Sequence, residues 1–316
     1  MKCAFLFPGQ GSQYVGMGKN LCENFRAAAH VFEEAEEALK LKLKRLCFDG
    51  LESDLKLTEH TQPAILTVSV AAYKVLSAET DILPVLVAGH SLGEYTALVV
   101  IKALSFLEAV CAVRERGRAM QNAVPVGKGA MAALVGGESE TVKKLCHSVN
   151  ESVVPQTSFV SPANFNGAGQ VVISGTADAV EKAVALAPTY GIRYAKLLDV
   201  SAPFHCKLME PAAVQMKKYI EQIEFRKPMV PYIANVDGQI HADAEGIADR
   251  LIRQIPNPVL WEDSMNILAK ENIETVYEIG PGKVLTSLLR RINKNIQCLN
   301  VEMAQDIKQL TERKKR

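Results

Sequence analysis

The sequence predicts an α/β fold: a parallel sheet flanked by helices, interrupted by a small domain with a different strand pattern. Short apolar runs alternate with helix-length stretches at both ends of the chain, the signature of βα units in a parallel sheet. Between about 127 and 199 the order becomes β-α-β-β-α-β, the ferredoxin-like arrangement. In addition, Gly89-His90-Ser91-Leu92-Gly93 separates the apolar run 84–88 from the helix-compatible stretch 94–100. That is strand, sharp turn and helix with a serine at the apex, the context of a nucleophile elbow. The expected architecture is an α/β-hydrolase-like domain formed by 1–126 and 200–316, with a ferredoxin-like subdomain at 127–199.

Residues 2–7 are apolar and stop at Pro8-Gly9, which predicts a buried first strand and a tight loop. A long helical region follows to about residue 47, rich in good helix formers. Thr61 and Pro63 suggest a helix start, with Thr61 as cap, running to about Ser77. Strand 84–89, the helix after the elbow and a helix at about 105–122 complete the first part. The subdomain reads as strand 130–135, helix 139–149, strands 158–163 and 170–174, helix 177–190 and strand 193–200. Helices at 208–222, 243–255, 261–271 and 281–292 and strands at 230–234 and 274–279 then resume the α/β alternation. The basic end, Glu312-Arg-Lys-Lys-Arg316, reads as a frayed, solvated tail.

The chain of 316 residues is 48% hydrophobic and 22% charged, as expected of a soluble globular protein with a large core. A net charge of +1 argues against a nucleic-acid binder, which needs a basic excess. Seven cysteines without paired spacing read as reduced thiols of a cytoplasmic protein and offer no metal set. The N-terminal apolar run is too short for a signal peptide, and no run reaches membrane-spanning length.

Ser91, at a helix N-terminus, is placed for nucleophilic chemistry, with the Leu92 N–H as one oxyanion donor. The loop Pro8-Gly-Gln-Gly-Ser12 fails as a dinucleotide or P-loop motif, because Tyr14 stands where a third glycine belongs and no Lys-Ser/Thr follows. It reads instead as a tight turn whose N–H groups near Gln10 supply a second oxyanion donor. Among the six histidines, His30 and His147 fall in helices and His241 in a turn after a strand. His90 leaves the elbow in another direction and suits packing. His205 lies on an irregular loop at the domain junction, facing a cleft, and is the candidate base. The group orienting it is open: Asp199 at a strand end, or a backbone carbonyl. Arg114, Arg116 and Arg118 cannot all face inward. Arg116, next to Gly117, is the inward candidate, a planar fork suited to a carboxylate, and the other two belong on a solvated face.

Eight segments then occur in order: Phe7-Pro-Gly-Gln-Gly-Ser-Gln13, Thr61-Gln-Pro63, Gly89–Gly93, Arg116-Gly117, Asn164-Phe-Asn166 with Gln170–Gly175, Ser201-Ala-Pro-Phe-His205, Asn257-Pro-Val-Leu-Trp261 and Glu278–Lys283. Together they resemble the malonyl-CoA:acyl-carrier-protein transacylases, the discrete acyltransferases of fatty-acid and polyketide synthesis. The resemblance spans nearly the whole chain. It implies ping-pong transfer of malonyl from malonyl-CoA, the substrate, through Ser91 to the phosphopantetheine thiol of an acyl carrier protein, without a bound cofactor or metal. It further implies His205 as base, Gln10 and Leu92 amides as oxyanion hole, Arg116 on the malonyl carboxylate, and Asn164 and Asn166 in the site. Phe204 resembles the bulky residue of malonyl-type rather than methylmalonyl-type enzymes. Leu260 departs from the Gln or Arg of many members; the segment's carbonyl is expected to orient the histidine. An acyl-carrier-protein hydrolase of the same fold has no use for Arg116 when its acyl chains are uncharged. A non-catalytic carrier-binding module would not need Ser91 and His205 together.

Overall fold

The computed structural model describes residues 2–154 and 158–314. In chain order the first part comprises β1 (Cys3–Phe7), α1 (Lys19–Asn24), α2 (Arg26–Leu39), α3 (Leu43–Asp49), α4 (Glu52–Lys56), α5 (Thr58–Glu79), β2 (Leu86–Gly89), α6 (Leu92–Val100) and α7 (Phe106–Asn122). The small domain contributes β3 (Gly129–Val135), α8 (Ser139–Glu151), β4 (Val160–Gly167), β5 (Gln170–Thr176), α9 (Ala177–Leu186) and β6 (Tyr194–Leu197). The remainder is α10 (Glu210–Ile220), β7 (Tyr232–Ile233), β8 (Ile240–His241), α11 (Ile247–Gln254), α12 (Trp261–Lys270), β9 (Thr275–Ile279), α13 (Val284–Ile292), β10 (Gln297–Val301) and α14 (Ala304–Lys314).

Six strands form one sheet in the order β10-β9-β1-β2-β7-β8, parallel except for the β7–β8 pair at the edge. β1 is buried at every position, as a central parallel strand covered on both faces must be. Its period-two alternation divides the core: Phe5 and Phe7 join the larger cluster with α2, α5, α6 and α7, whereas Ala4 and Leu6 join a second one with α12 and α13. The ends of β1 and β2 carry the Gln10 loop and Ser91, so the site sits at the carboxyl edge of adjacent parallel strands.

The second sheet has the antiparallel order β4-β5-β3-β6, the ferredoxin-like order read from the sequence. Alternation again assigns the faces. Ala132, Leu134, Val171 and Ile173 pack with α8 and α9 in a separate cluster, while Met131 and Val172 point into the large core. β4 is also tied by backbone to the segment leading into α12, because Phe165 N–H donates to Val259 O at 2.9 Å and Val259 N–H to Ala163 O at 2.9 Å.

Several expectations are corrected. The region before residue 47 is divided into α1, α2 and α3, separated at Phe25, which is extended, and at Lys40, which takes a left-handed φ of 50°. α5 begins at Thr58, not Thr61, since Leu57 O already accepts the Thr61 N–H at 2.8 Å and closes the first turn there. Thr61 Oγ1 accordingly donates to carbonyls, Leu55 O of α4 at 2.5 Å with Leu57 O at 3.1 Å, and does not cap the start of α5. His241 lies in β8 and not in a turn. The basic tail is helical through Lys314 within α14; 315–316 lie outside the described residues. Among the described residues no helix is long and apolar enough to cross a membrane.

Candidate active site

The elbow is forced by contact. A Cβ on Gly89 would lie 1.9 Å from the Gly93 carbonyl carbon, and one on Gly93 would lie 2.0 Å from Phe7 O, so no other residue fits either place. Ser91 takes φ 51° and ψ −105°, a conformation that costs roughly 1–3 kcal/mol and persists only when its surroundings impose it. Asn235 does this directly. Its Oδ1 accepts the Ser91 N–H at 2.6 Å, and its Nδ2 donates to Gly89 O at 2.7 Å.

His205, like Ser91, has a positive φ, here 58°, and this turns its ring back into the cleft. Nε2 lies 2.7 Å from Ser91 Oγ, and Nδ1 lies 3.0 Å from Gln254 O. A carbonyl only accepts, so Nδ1 carries the proton and the Nε2 lone pair faces the serine hydroxyl. Burial, reinforced by the neighbouring Arg116 charge, depresses the imidazole pKa to about 3, which keeps the ring neutral at ordinary pH. Asp199 is not the orienting group: its side chain is 90% exposed and pairs with Lys56 at 3.2 Å. Nor is the Leu260 carbonyl, which accepts Ser264 Oγ at the start of α12. Leu260 lies away from the cavity, beside Gly238. Gln254 at the end of α11 supplies the principal carbonyl, and from that segment the Asn257 backbone, rather than Leu260, also acts on the His205 ring.

Arg116 is turned inward and is 1% exposed. It arrives there because α7 presses on the start of α5 at Gly117, where a Cβ would meet Thr58 O at 2.6 Å. Nη1 donates to Gln62 Oε1 at 2.8 Å, and Nη2 donates to Gln254 Oε1 at 2.8 Å and to Ser91 Oγ at 3.1 Å. Among the described residues it forms no ion pair and its Nε has no partner, leaving a buried fork aimed at Ser91 Oγ. Arg118 pairs with Glu59 at 2.8 Å and Glu115 at 2.9 Å on the surface. Arg114, expected on the same solvated face, is instead half-buried and donates to Leu39 O at 2.6 Å.

A cavity of 490 Å³ opens over Ser91. Gln10 lines it, with its side chain tied to Thr58 Oγ1 at 3.3 Å, which in turn contacts Ser201 Oγ at 2.9 Å. Gln10, on the β1 loop, and Leu92, at the start of α6, line the cavity together with Ser91. The small domain supplies the opposite wall with Met131, Val172, Asn164 and Asn166, and Phe204 closes it beside the histidine. Asn166 Oδ1 lies 3.0 Å from His90 Nε2, and the His90 ring packs on Trp261 at 5.2 Å. His90 thus supports the wall, as its packing assignment predicts.

Residues 4–312 match the acyl transferase domain family. The chain belongs to that family. It is 46% identical over 300 residues to the malonyl CoA-acyl carrier protein transacylase of Bacillus subtilis strain 168, covering 95% of this chain and 93% of the relative. Among solved structures, the acyl-carrier-protein S-malonyltransferase of Bartonella henselae superposes with a TM-score of 0.94 at 44% identity over 99% of both chains. A malonyl-transacylase solved in complex with a type II polyketide-synthase acyl-carrier protein superposes with a TM-score of 0.95 at 40% identity, over 99% of this chain and 100% of that one.

Within this acyl transferase site, sequence reasoning missed Gln254, Asn235 and Glu94 and gave Gln62 no role. Gln254 joins the most groups: its carbonyl holds His205, its Oε1 accepts from Arg116, and its Nε2 donates to Ser91 O at 3.0 Å and Glu94 Oε2 at 2.7 Å. No motif surrounds Gln254 or Asn235. Glu94 and Gln62 lie within quoted segments or beside them, yet only their burial marks them, at 1% exposure each.

Proposed function

We propose that this chain transfers malonyl from malonyl-CoA to the phosphopantetheine thiol of an acyl carrier protein, through a malonyl ester on Ser91. The observation that carries this reading is one hydroxyl between two partners: Ser91 Oγ is 2.7 Å from a neutral imidazole nitrogen and 3.1 Å from a buried guanidinium. A malonyl carboxylate is separated from the reacting carbonyl by a single methylene, so a cation in contact with the nucleophile matches the distance between them. An uncharged acetyl group would leave Arg116 desolvated and unpaired.

In the first half-reaction His205 Nε2 takes the Ser91 proton as Oγ attacks the thioester carbonyl. The Gln10 and Leu92 amides stabilise the tetrahedral oxyanion. The C–S bond then breaks, and the proton on His205 passes to the departing CoA thiolate. In the second half the carrier thiol gives its proton to His205, attacks the ester, and Ser91 recovers a proton as its C–O bond breaks. Pairing of Arg116 with the malonyl carboxylate removes part of the positive field that depresses His205, which makes the base stronger when the correct substrate is present. Phe204, against the cavity, supports malonyl over the bulkier methylmalonyl.

Intact-mass measurement with malonyl-CoA tests the reading, with and without several carrier proteins. A malonyl adduct on wild-type protein, discharged by carrier and absent in Ser91→Ala, is expected. Malonyl transfer by Ser91→Ala, or equal loading by acetyl-CoA, overturns it, and rapid discharge by water alone identifies a hydrolase.

A further inference from the structure

Among the buried ionisable groups that the proposed mechanism leaves unused, one is bonded to the site's own residues. Glu94, two residues after the elbow serine's neighbour Leu92, is 1% exposed. Its Oε2 accepts two donors, the Asn235 N–H at 3.0 Å and Gln254 Nε2 at 2.7 Å, while its Oε1 is buried with no partner among the described residues. The orientation of Gln254 is set by its neighbours. A guanidinium only donates, so Oε1 of Gln254 faces Arg116 and its Nε2 faces Glu94. One amide therefore bridges the cation that receives substrate and a carboxylate that does not touch it.

The other charged or titratable groups around Glu94 come from every packed element. Asp237, after β7, opposes its ionisation and is itself paired with His241 at 3.0 Å. Tyr95 on α6 and Tyr232 on β7 lie in its field, both with phenols raised to about 12 and hence neutral. Arg250 on α11 donates to Tyr232 Oη at 2.9 Å. Arg116 is the cation that favours its charge.

We propose that Glu94 is the internal counter-charge of Arg116, coupled to it through Gln254, and that it takes up one proton from solvent when an acyl carboxylate pairs with that guanidinium. The inference rests on the malonyl-transfer reading. Two carboxylates facing one buried cation cannot both remain ionised without a large desolvation cost. Oε1 is the place for the proton, since protonation there disturbs neither bond that Oε2 accepts. Burial already raises the free carboxyl to about 7, and a second anion moves it further up, so uptake falls near neutral pH. His205, depressed to about 3, does not titrate in this range.

The test is proton uptake during loading, read with a pH indicator in weak buffer and normalised to the malonyl-Ser91 adduct measured by mass. Loading itself is proton-neutral at pH 7: serine hydroxyl and malonyl-CoA give ester and protonated CoA thiol. Wild type is expected to take up about half a proton per adduct at pH 7, because a carboxyl with a pKa near 7 is half protonated beforehand. The Glu94→Gln variant keeps the shape and the acceptor, and is expected to take up none. Above pH 7 the wild-type KM for malonyl-CoA should rise by up to about tenfold per pH unit, the limit for one coupled proton, and Glu94→Gln should flatten that rise. Adduct formation without uptake in wild type overturns the inference even if the variant does not fold, and so does equal uptake by Glu94→Gln. Absence of any adduct instead removes the malonyl reading beneath it.

Discussion

The two walls of the cleft are built differently. The large-domain wall is fixed by backbone contact and by polar groups with few alternatives: glycines that admit no Cβ, two left-handed residues, and an arginine sharing one glutamine with the histidine, the serine and Glu94. The small-domain wall is fixed by side-chain alternation in an antiparallel sheet, which turns Met131 and Val172 inward and adds two asparagines. Chemistry needs atoms held to a few tenths of an ångström; a wall that shapes the acyl chamber tolerates more. The polar, strained side should therefore carry the rate, and the sheet side should tune what fits.

The sharpest way to break that contrast is to remove the base. His205→Ala should lower acyl-enzyme formation by about 10²–10⁴-fold, the usual range for a lost general base, measured by rapid quench and mass. The pH profile gives a second check. Because the neutral ring is the active form and its pKa is lowered to about 3, wild-type loading at saturating malonyl-CoA should stay flat from about pH 6 to 8. It should fall only as the pH drops toward the imidazole pKa of the substrate complex. A base limb near the ordinary histidine value would show that the burial and the Arg116 charge do not act as described.

Arg116→Leu sharpens the comparison by separating chemistry from selection. Malonyl loading should fall about a hundredfold, corresponding to about 2–3 kcal/mol for a lost charge-assisted pair, while acetyl loading falls less or rises. The smallest effect is expected on the other wall. Asn166→Ala removes the partner of His90 Nε2 and should reduce kcat/KM by about tenfold or less. A loss as large as that of His205→Ala would place the small domain in the reacting machinery and end the division between the walls.

Much of this was legible locally. The elbow is written in five consecutive residues because a turn this tight excludes any Cβ at Gly89 and Gly93. The β-α-β-β-α-β order was likewise readable, since alternation and turn residues repeat over short spans. Less was readable where partners are distant in the chain. Asp199 looked as suitable as a carbonyl beside His205, yet it points to solvent and Lys56. Leu260 carried a motif position but lies outside the cavity, and Arg114 resembled Arg118 in sequence while donating to a carbonyl 75 residues away.

The sequence by itself determined the fold class, the elbow serine, the histidine proposed as its base and the inward arginine, because each depends on local backbone geometry or on residue types with few other uses. Only the tertiary structure decided how they are held. Gln254 is joined to His205, Arg116, Ser91 and Glu94 across separations of 49, 138, 163 and 160 residues, and no pattern along the chain marks a glutamine whose partners converge only when α11 packs beside the elbow. The same packing buries Glu94 against Gln254, on the far side of that amide from Arg116, and burial is what gives that carboxyl a pKa of about 7.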